Sequence, residues 1–414
     1  MTSSNSSAAS AAAPDSPTAW LRLAVAVVLS TIGGVGMWSV VVALPAIQAD
    51  FGVDRADASL PYTLTMLGFA AGGVAMGRLA DRFGITVPLA LGAVALTLGY
   101  VAVGHAASLW QVTLAHGLLI GFGCSATFAP LMAEMSHWFV RRRGIAVALA
   151  AAGNYLAGTI WPPVVQHFIA ASGWRATHIG IGVFILFTML PLTYFMRRRI
   201  ETKHTVGAMQ SAARRQAELP FSPATLQTLL FIAGIGCCVA MSMPQVHLVA
   251  YCGDLGYGAA RGAEMLSLML GLGIISRVAS GFIADRIGGV RTLLLGSVLQ
   301  GIALFLYLFF DGLASLYIIS GLFGLFQGGI VPSYAIIVRE YFPPREASTR
   351  VGVAIMATVF GMALGGWLSG AIFDVTGSYR AAFLNGLAWN LLNVSIASWL
   401  LFRTPRRAAL ASSI

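Results

Sequence analysis

An arginine in the middle of an apolar run is the feature of this chain best suited to chemistry. Residues Leu272 to Gly289 read LGIISRVASGFIADRIGG, and Arg277 sits in the apolar part with no acid closer in sequence than Asp285. The separation is about 12 Å along a helix, against a hydrocarbon half-thickness of about 15 Å, so the charge lies near the midplane of a membrane. All 15 acids fall in loops, tails or the ends of apolar runs, and Glu264 is 13 residues away. A charged side chain at that depth costs on the order of 3 kcal/mol, which makes it functional by default. The competing reading is that Arg277 snorkels to the interface, but an arginine reaches only about 6 or 7 Å. A planar guanidinium offers paired donors that match a carboxylate, a fit that lysine lacks. The chemistry expected is therefore reversible capture of a small organic anion. No H-E-x-x-H, G-x-S-x-G, P-loop or acidic metal cluster is present, which argues against an embedded enzyme. Cys124, Cys237, Cys238 and Cys252 have no metal or redox spacing and read as packing residues, so no metal or other cofactor is expected.

The elements that must hold Arg277 follow from composition. The 414 residues are 57% hydrophobic and 10% charged, with a mean hydropathy of +0.81. That balance cannot cover a soluble surface and predicts an all-α membrane protein. Apolar runs predict spans near 20 to 44, 59 to 79, 85 to 105, 110 to 135, 145 to 169 and 177 to 196. A second set lies near 225 to 250, 263 to 284, 291 to 310, 314 to 338, 351 to 373 and 381 to 402. The expected organisation is a disordered tail over 1–19, six helices over 20–196, a linker over 197–222, six more helices over 223–403 and a tail over 404–414. Trp161-Pro162-Pro163 predicts a kink in span 5.

The net charge of +10 does not point to nucleic acid, because the basic residues cluster in short connections between apolar runs. Those clusters, including Arg78/Arg82, Arg141 to Arg143, Arg197 to Arg199 and Arg286/Arg291, fall in alternate connections. The opposite connections carry Asp50, Asp54, Asp57, Asp254, Asp311 and Asp374. Positive charge stays on the cytoplasmic side, so both termini are expected there, in a lipid bilayer that reads as a bacterial-type inner membrane.

The two sets repeat one another. G-R-L-A-D-R-F-G (Gly77 to Gly84) is echoed by G-F-I-A-D-R-I-G (Gly281 to Gly288) at an offset of 204 residues, and SGWRA (Ser172 to Ala176) by GSYRA (Gly377 to Ala381) at 205. Two pseudo-symmetric six-helix bundles enclosing a site are the geometry that alternating access requires.

With these motifs the chain resembles the major facilitator superfamily across residues 20 to 403. His137 to Gly158, HWFVRRRGIAVALAAAGNYLAG, with a weaker echo in GGVGMW (Gly33 to Trp38), is similar to the monocarboxylate transporters and the oxalate/formate antiporter group. The resemblance implies the major facilitator fold and assigns carboxylate binding to the span 8 arginine, here Arg277. Two departures matter. Proton-carrying members pair that arginine with an aspartate one turn earlier, where this chain has Gly273, and dicarboxylate exchangers add a basic residue in span 11, where VGVAIMATVFGMALGG has none. The first weakens the proton-coupled reading while leaving carboxylate binding intact, and the second argues against a small dianion as the cargo.

Other candidates for the cavity are Trp38, Asn154, Tyr155, Gln245, His247, Gln327 and Asn385, with Asn154 and Tyr155 weighted above the rest because they interrupt an Ala/Gly-rich helix. Packing or a helix–helix hydrogen bond is an equal reading for each. Asp81, Arg82, Asp285 and Arg286 are expected to gate the cytoplasmic side, with Glu134 partnering the Arg141 to Arg143 region, Arg142 included, and Glu340 partnering Arg345 to Arg350. Each exposed pair is worth about 1 kcal/mol or less, suitable for a latch that opens every cycle. The expected function is secondary transport of a small monocarboxylate by a monomer. Anion exchange and proton symport both stand open, with His247 the best titratable candidate among His116, His167 and His247. The alternatives are a neutral-solute or drug carrier and a non-transporting sensor.

Overall fold

The structure, a computed structural model, describes residues 15–139, 141–197, 222–342 and 344–403. Most of the expected tails and linker therefore lie outside the described residues. Helix is the only regular structure among them. The first half comprises α1 (Pro17–Phe51), α2 (Arg55–Phe83), α3 (Thr86–Gly104), α4 (Leu109–Trp138), α5 (143–172) and α6 (174–194). The second comprises α7 (Pro223–Asp254), α8 (Ala259–Ile287), α9 (Gly289–Leu306), α10 (Leu313–Tyr341), α11 (Pro344–Thr376) and α12 (Tyr379–Arg403). Ten helical stretches are long and apolar enough to cross a membrane. One of them, Ile145–Tyr194, carries both α5 and α6, and α12 is a 25-residue helix outside those ten.

Local signals explain the ends. α1 starts at Pro17, earlier than expected, because the Ser16 hydroxyl accepts from Ala19 N at 3.3 Å and proline is pre-set for the first turn. The echoed motifs close their helices alike: Gly84 ends α2 at φ 83°, ψ 166°, and Gly288 ends α8 at φ 85°, ψ 164°. Such a left-handed φ suits glycine, so the sequence repeat is also a backbone repeat. The second echo behaves in the same way, with Gly173 at φ 79° and Gly377 at φ 64°.

The 143–194 stretch departs from helical dihedrals only at Gly173, and the backbone stays helical through Trp161-Pro162-Pro163. Pro163 cannot donate to the Thr159 carbonyl four residues earlier. The Ser267 hydroxyl of α8 donates to that carbonyl instead, which satisfies the acceptor that the proline leaves free. A second irregularity, a π-helical turn over His116–Gly121, lies inside α4.

The buried apolar residues form two cores. One draws on residues between Ala19 and Met196. The other draws mainly on residues between Leu226 and Leu400, and it also takes in Trp38, Tyr62 and Tyr155. The halves are thus separately packed and meet through α1, α2 and α5. Large apolar side chains such as Leu118, Phe187 and Phe282 are exposed, as a hydrocarbon solvent requires.

Candidate functional site

α5 and α8 pack along their length where the halves meet, and glycines set the approach. A Cβ at Gly158 would lie 2.9 Å from Cε2 of Trp38, so the glycine admits the indole. Trp38 Nε1 in turn donates to the Asn154 carbonyl at 3.3 Å. Further along this interface Arg277 projects from α8. Its Nε and Nη1 donate to the carbonyls of Gly328 and Ala151, both at 3.4 Å. Its guanidinium carbon lies 4.2 Å from the centre of the Tyr155 ring. No ion pair to Arg277 occurs among the described residues. The cation therefore lies between halves, reached by groups of α5, α8 and α10, without a carboxylate of the protein.

The neighbouring Asn154 serves another surface, since successive helical side chains point about 100° apart. It lines a small pocket in the first half with Ser30, Met37, Phe69, Thr127 and Phe128. Tyr155 and Arg277 are brought together by these contacts, while Trp38 meets the same helix through the Asn154 carbonyl and the Asn154 side chain faces away. Gln245 and Gln327 instead bond each other, Nε2 to Oε1 at 2.8 Å, fully within the second half. Asn385 on α12 is half-buried, and no contact joins it to the Arg277 group among the described residues.

His247 lies elsewhere, in a cluster that joins the halves at the end of the bundle away from the start of α1 and the end of α12, the distal end. Arg55, at the start of α2, donates to Tyr379 Oη at 2.7 Å and to Asp254 at 3.2 Å. The Asp374 carboxylate accepts from the backbone N–H groups of Arg55 and Ala56 at 2.9 and 2.7 Å, where an anion also meets the positive end of the helix dipole. Tyr379 Oη lies 3.3 Å from His247 Nδ1, and His247 Nε2 bonds the Gly366 carbonyl at 2.7 Å. A carbonyl only accepts, so Nε2 carries the proton and Nδ1 accepts from Tyr379. Neutral His247 is thereby fully bonded. Arg55, Asp254, Asp374 and Tyr379 were not among the candidates; the readable signal was a cation flanked by Asp54 and Asp57 on the acidic side of the chain.

The other end, where α1 begins and α12 ends, is arranged differently. Asp81, Arg82, Asp285 and Arg286 are exposed and make no ion pair among the described residues; Arg82 lies 5.2 Å from the Phe83 ring. Arg142 approaches the ring of Trp20 at 5.7 Å. Glu134 pairs with Arg22 at 2.7 Å rather than with the Arg141 to Arg143 region. The reason is geometry: Arg22 is 3% exposed, lies over Trp138 at 4.2 Å and also donates to the carbonyls of Phe195 and Met196. That bond set lies wholly within the first half. Glu134→Ala leaves the buried guanidinium without this carboxylate and is expected to cost about 3 to 5 kcal/mol, read as a loss of melting temperature in detergent. Glu340 accepts from Gly289 N at 3.2 Å and so caps α9, while Arg350 pairs with Glu346 at 2.7 Å. Among the described residues, ion pairs between the halves occur at the distal end only.

Comparison with known proteins adds the relatives. A sequence model of the family described as Major Facilitator Superfamily matches residues 26–313 and 265–413. Monocarboxylate transporter 13 of Bos taurus is 29% identical over 311 residues, covering 74% of this chain and 71% of its own. Monocarboxylate transporter 11 of Homo sapiens is 27% identical over 395 residues, covering 90% and 80%. The MFS-type transporter opdF of Penicillium oxalicum is 25% identical over 340 residues, covering 78% and 77%. Among solved structures, a bacterial homolog of the human lysosomal transporter Spinster, in an inward-facing and occupied conformation, superposes with a TM-score of 0.72. It is 13% identical and covers 94% of this chain and 98% of its own, which bears on the fold alone.

Proposed function

The chain belongs to the Major Facilitator Superfamily, and on that premise we propose that it is a secondary transporter of a small organic monocarboxylate, working by alternating access. The observation that carries this reading is Arg277: a guanidinium between the two halves with no acid partner among the described residues. A carboxylate entering there turns a costly lone charge into a bidentate pair. The relatives named monocarboxylate transporters support the same substrate class.

Sidedness follows from the basic connections, which place the end bearing both termini in the cytoplasm and the distal end outside, in an inner membrane of bacterial type. With the seal around Arg55 joined and the Asp81 and Asp285 motifs unpaired, the arrangement corresponds to a carrier shut to the outside. Gating therefore falls to two sets of residues: the Arg55 cluster outside, and the repeated ADR motifs inside. Exchange of one anion for another is favoured over proton symport. Moving the halves past an unoccupied Arg277 would expose its charge to a closing apolar gate, and His247, already bonded at both nitrogens, has no free position for a proton without losing the bond from Tyr379.

The test is counterflow in liposomes holding the purified protein. Labelled lactate, glycolate, isovalerate and benzoate are each offered against the same unlabelled acid inside. Saturable accumulation of at least one, accelerated by preloading and lost in Arg277→Ala, is expected. Accumulation of none, or unchanged accumulation in that variant, overturns the assignment.

A further inference from the structure

The charge of Arg277 is covered by a ring on its face instead of being paired with an acid in its plane. A cation gains from the π face of an aromatic ring, whereas every N–H of a guanidinium points outward in the plane of the group. An acid partner consumes those in-plane donors; the Tyr155 ring consumes none. Two of them lean on the carbonyls of Gly328 and Ala151 at 3.4 Å, beyond the usual range for such a bond. Nη2 makes no hydrogen bond among the described residues.

The ring can lie there only because of Gly273. This glycine is four residues before Arg277 on α8 and so shares its face. A Cβ on Gly273 would lie 2.7 Å from Cδ1 of Tyr155 and closer still to Cε1, a collision with a buried ring. The position one turn before the arginine, where a side chain could reach it, is thus filled by the aromatic ring of another helix.

We propose that Tyr155 is a positioning residue that caps the Arg277 guanidinium, with Gly273 as the space it occupies, so that the transporter holds an anion-binding charge whose in-plane donors stay free for the substrate and whose strength does not titrate. The transport consequences rest on the monocarboxylate reading above; the cap itself does not. The elements packed on Arg277 are α5, α8 and α10. Their ionisable groups, among the described side chains, are Tyr155 and His167 on α5, Arg261, Glu264, Asp285 and Arg286 on α8, and Tyr317, Tyr334, Arg339, Glu340 and Tyr341 on α10. None of these makes an ion pair or hydrogen bond with Arg277 among the described residues.

Two measurements test this, one without any substrate. In a double-mutant cycle of melting temperature in detergent, Gly273→Ala is expected to destabilise the protein that has Tyr155 and to be close to neutral in a Tyr155→Leu background. Additive effects overturn the packing pair whether or not any acid is transported. In counterflow with whichever of the four acids the unaltered protein moves, Tyr155→Phe is expected to keep KM within about twofold, because the ring face remains. Tyr155→Leu is expected to raise KM about tenfold, between the effect of an exposed and of a desolvated cation–π contact, with kcat changed less. Gly273→Ala is expected to raise KM in the same way, and KM of the unaltered protein to stay level between about pH 6 and 8, where imidazoles titrate. A Phe variant as impaired as the Leu variant would assign the effect to the hydroxyl and overturn the cap, as would a KM that follows a titration over that range. If none of the acids moves, the functional reading falls while the melting cycle still decides the cap.

Discussion

Arg277→Lys is expected to lower kcat/KM for the transported acid by roughly ten- to hundredfold, and Arg277→Met to abolish transport while leaving the melting temperature unchanged or raised. The first effect follows from geometry. Lysine keeps the charge but is a compact ammonium without the planar fork, so one of two charge-assisted bonds to the carboxylate is lost, at about 1.5 to 3 kcal/mol each, and each 1.4 kcal/mol or so is tenfold. Lysine also forgoes the flat stacking on Tyr155. The second effect has the opposite sign for stability. A charge near the membrane midplane costs on the order of 3 kcal/mol, and what offsets it here is one ring face and two carbonyl contacts at 3.4 Å. Methionine removes the cost and fills similar volume. Counterflow and thermal unfolding on the same preparations separate the two: a variant that loses transport together with several degrees of melting temperature would mean that Arg277 holds the fold.

How far Arg277 and its surroundings could be read from the chain depends on the range of the contact concerned. A lone arginine in an apolar run stands out without any structure, because the penalty is set by the solvent and not by a neighbour. The pairing of Gly84 with Gly288 was readable as well, since a helix end needing positive φ leaves a glycine in the sequence. The role of Gly273 was not. In the sequence it is only a missing acid, and the ring that fills its place comes from another half of the molecule. His247 looked like a cavity residue because its segment is apolar, yet Tyr379 and Gly366, which bond it, are more than a hundred residues away. Trp161-Pro162-Pro163 predicted a kink from a local rule, but that rule does not tell that Ser267, one helix over in the other half, takes up the Thr159 carbonyl that Pro163 leaves free. Glu134 was matched with the nearest basic cluster in sequence, while the fold offers it Arg22 from α1. Each miss is a contact between helices that the chain encodes on both sides but states on neither.

Arg55→Ala is expected to open the distal end. Three pairs of opposite charge lie there, Arg261–Glu264 within α8, Arg175–Asp50 and Arg55–Asp254, and they are not equivalent. Arg175 and Asp50 meet at 2.7 Å with side chains 39% and 38% exposed, and both belong to the first half, so the pair is worth about 1 kcal/mol or less and resists no movement between halves. Arg55 is 8% exposed on its side chain and bonds Asp254 and Tyr379 across the boundary. Bonds to a charged group contribute about 1.5 to 3 kcal/mol each. Losing both is then about 3 kcal/mol or more, or roughly a hundredfold in the ratio of distal-open to distal-shut carriers. Asp254 is 37% exposed and can be solvated once its partner is gone, so the fold itself should survive. A reporter is available at Ala363, which is 3% exposed and whose carbonyl accepts from Thr63 of the other half at 3.2 Å. The four native cysteines are buried and give a low background. In right-side-out vesicles, Ala363→Cys should react slowly with a membrane-impermeant maleimide and about a hundredfold faster when combined with Arg55→Ala, whereas Arg175→Ala should leave the rate within a few-fold. Equal rates in the two combinations would mean that the Arg55 cluster is a surface ornament of the closed state, and that the seal lies deeper, along the contacts of α2 with α11 and of α1 with α7.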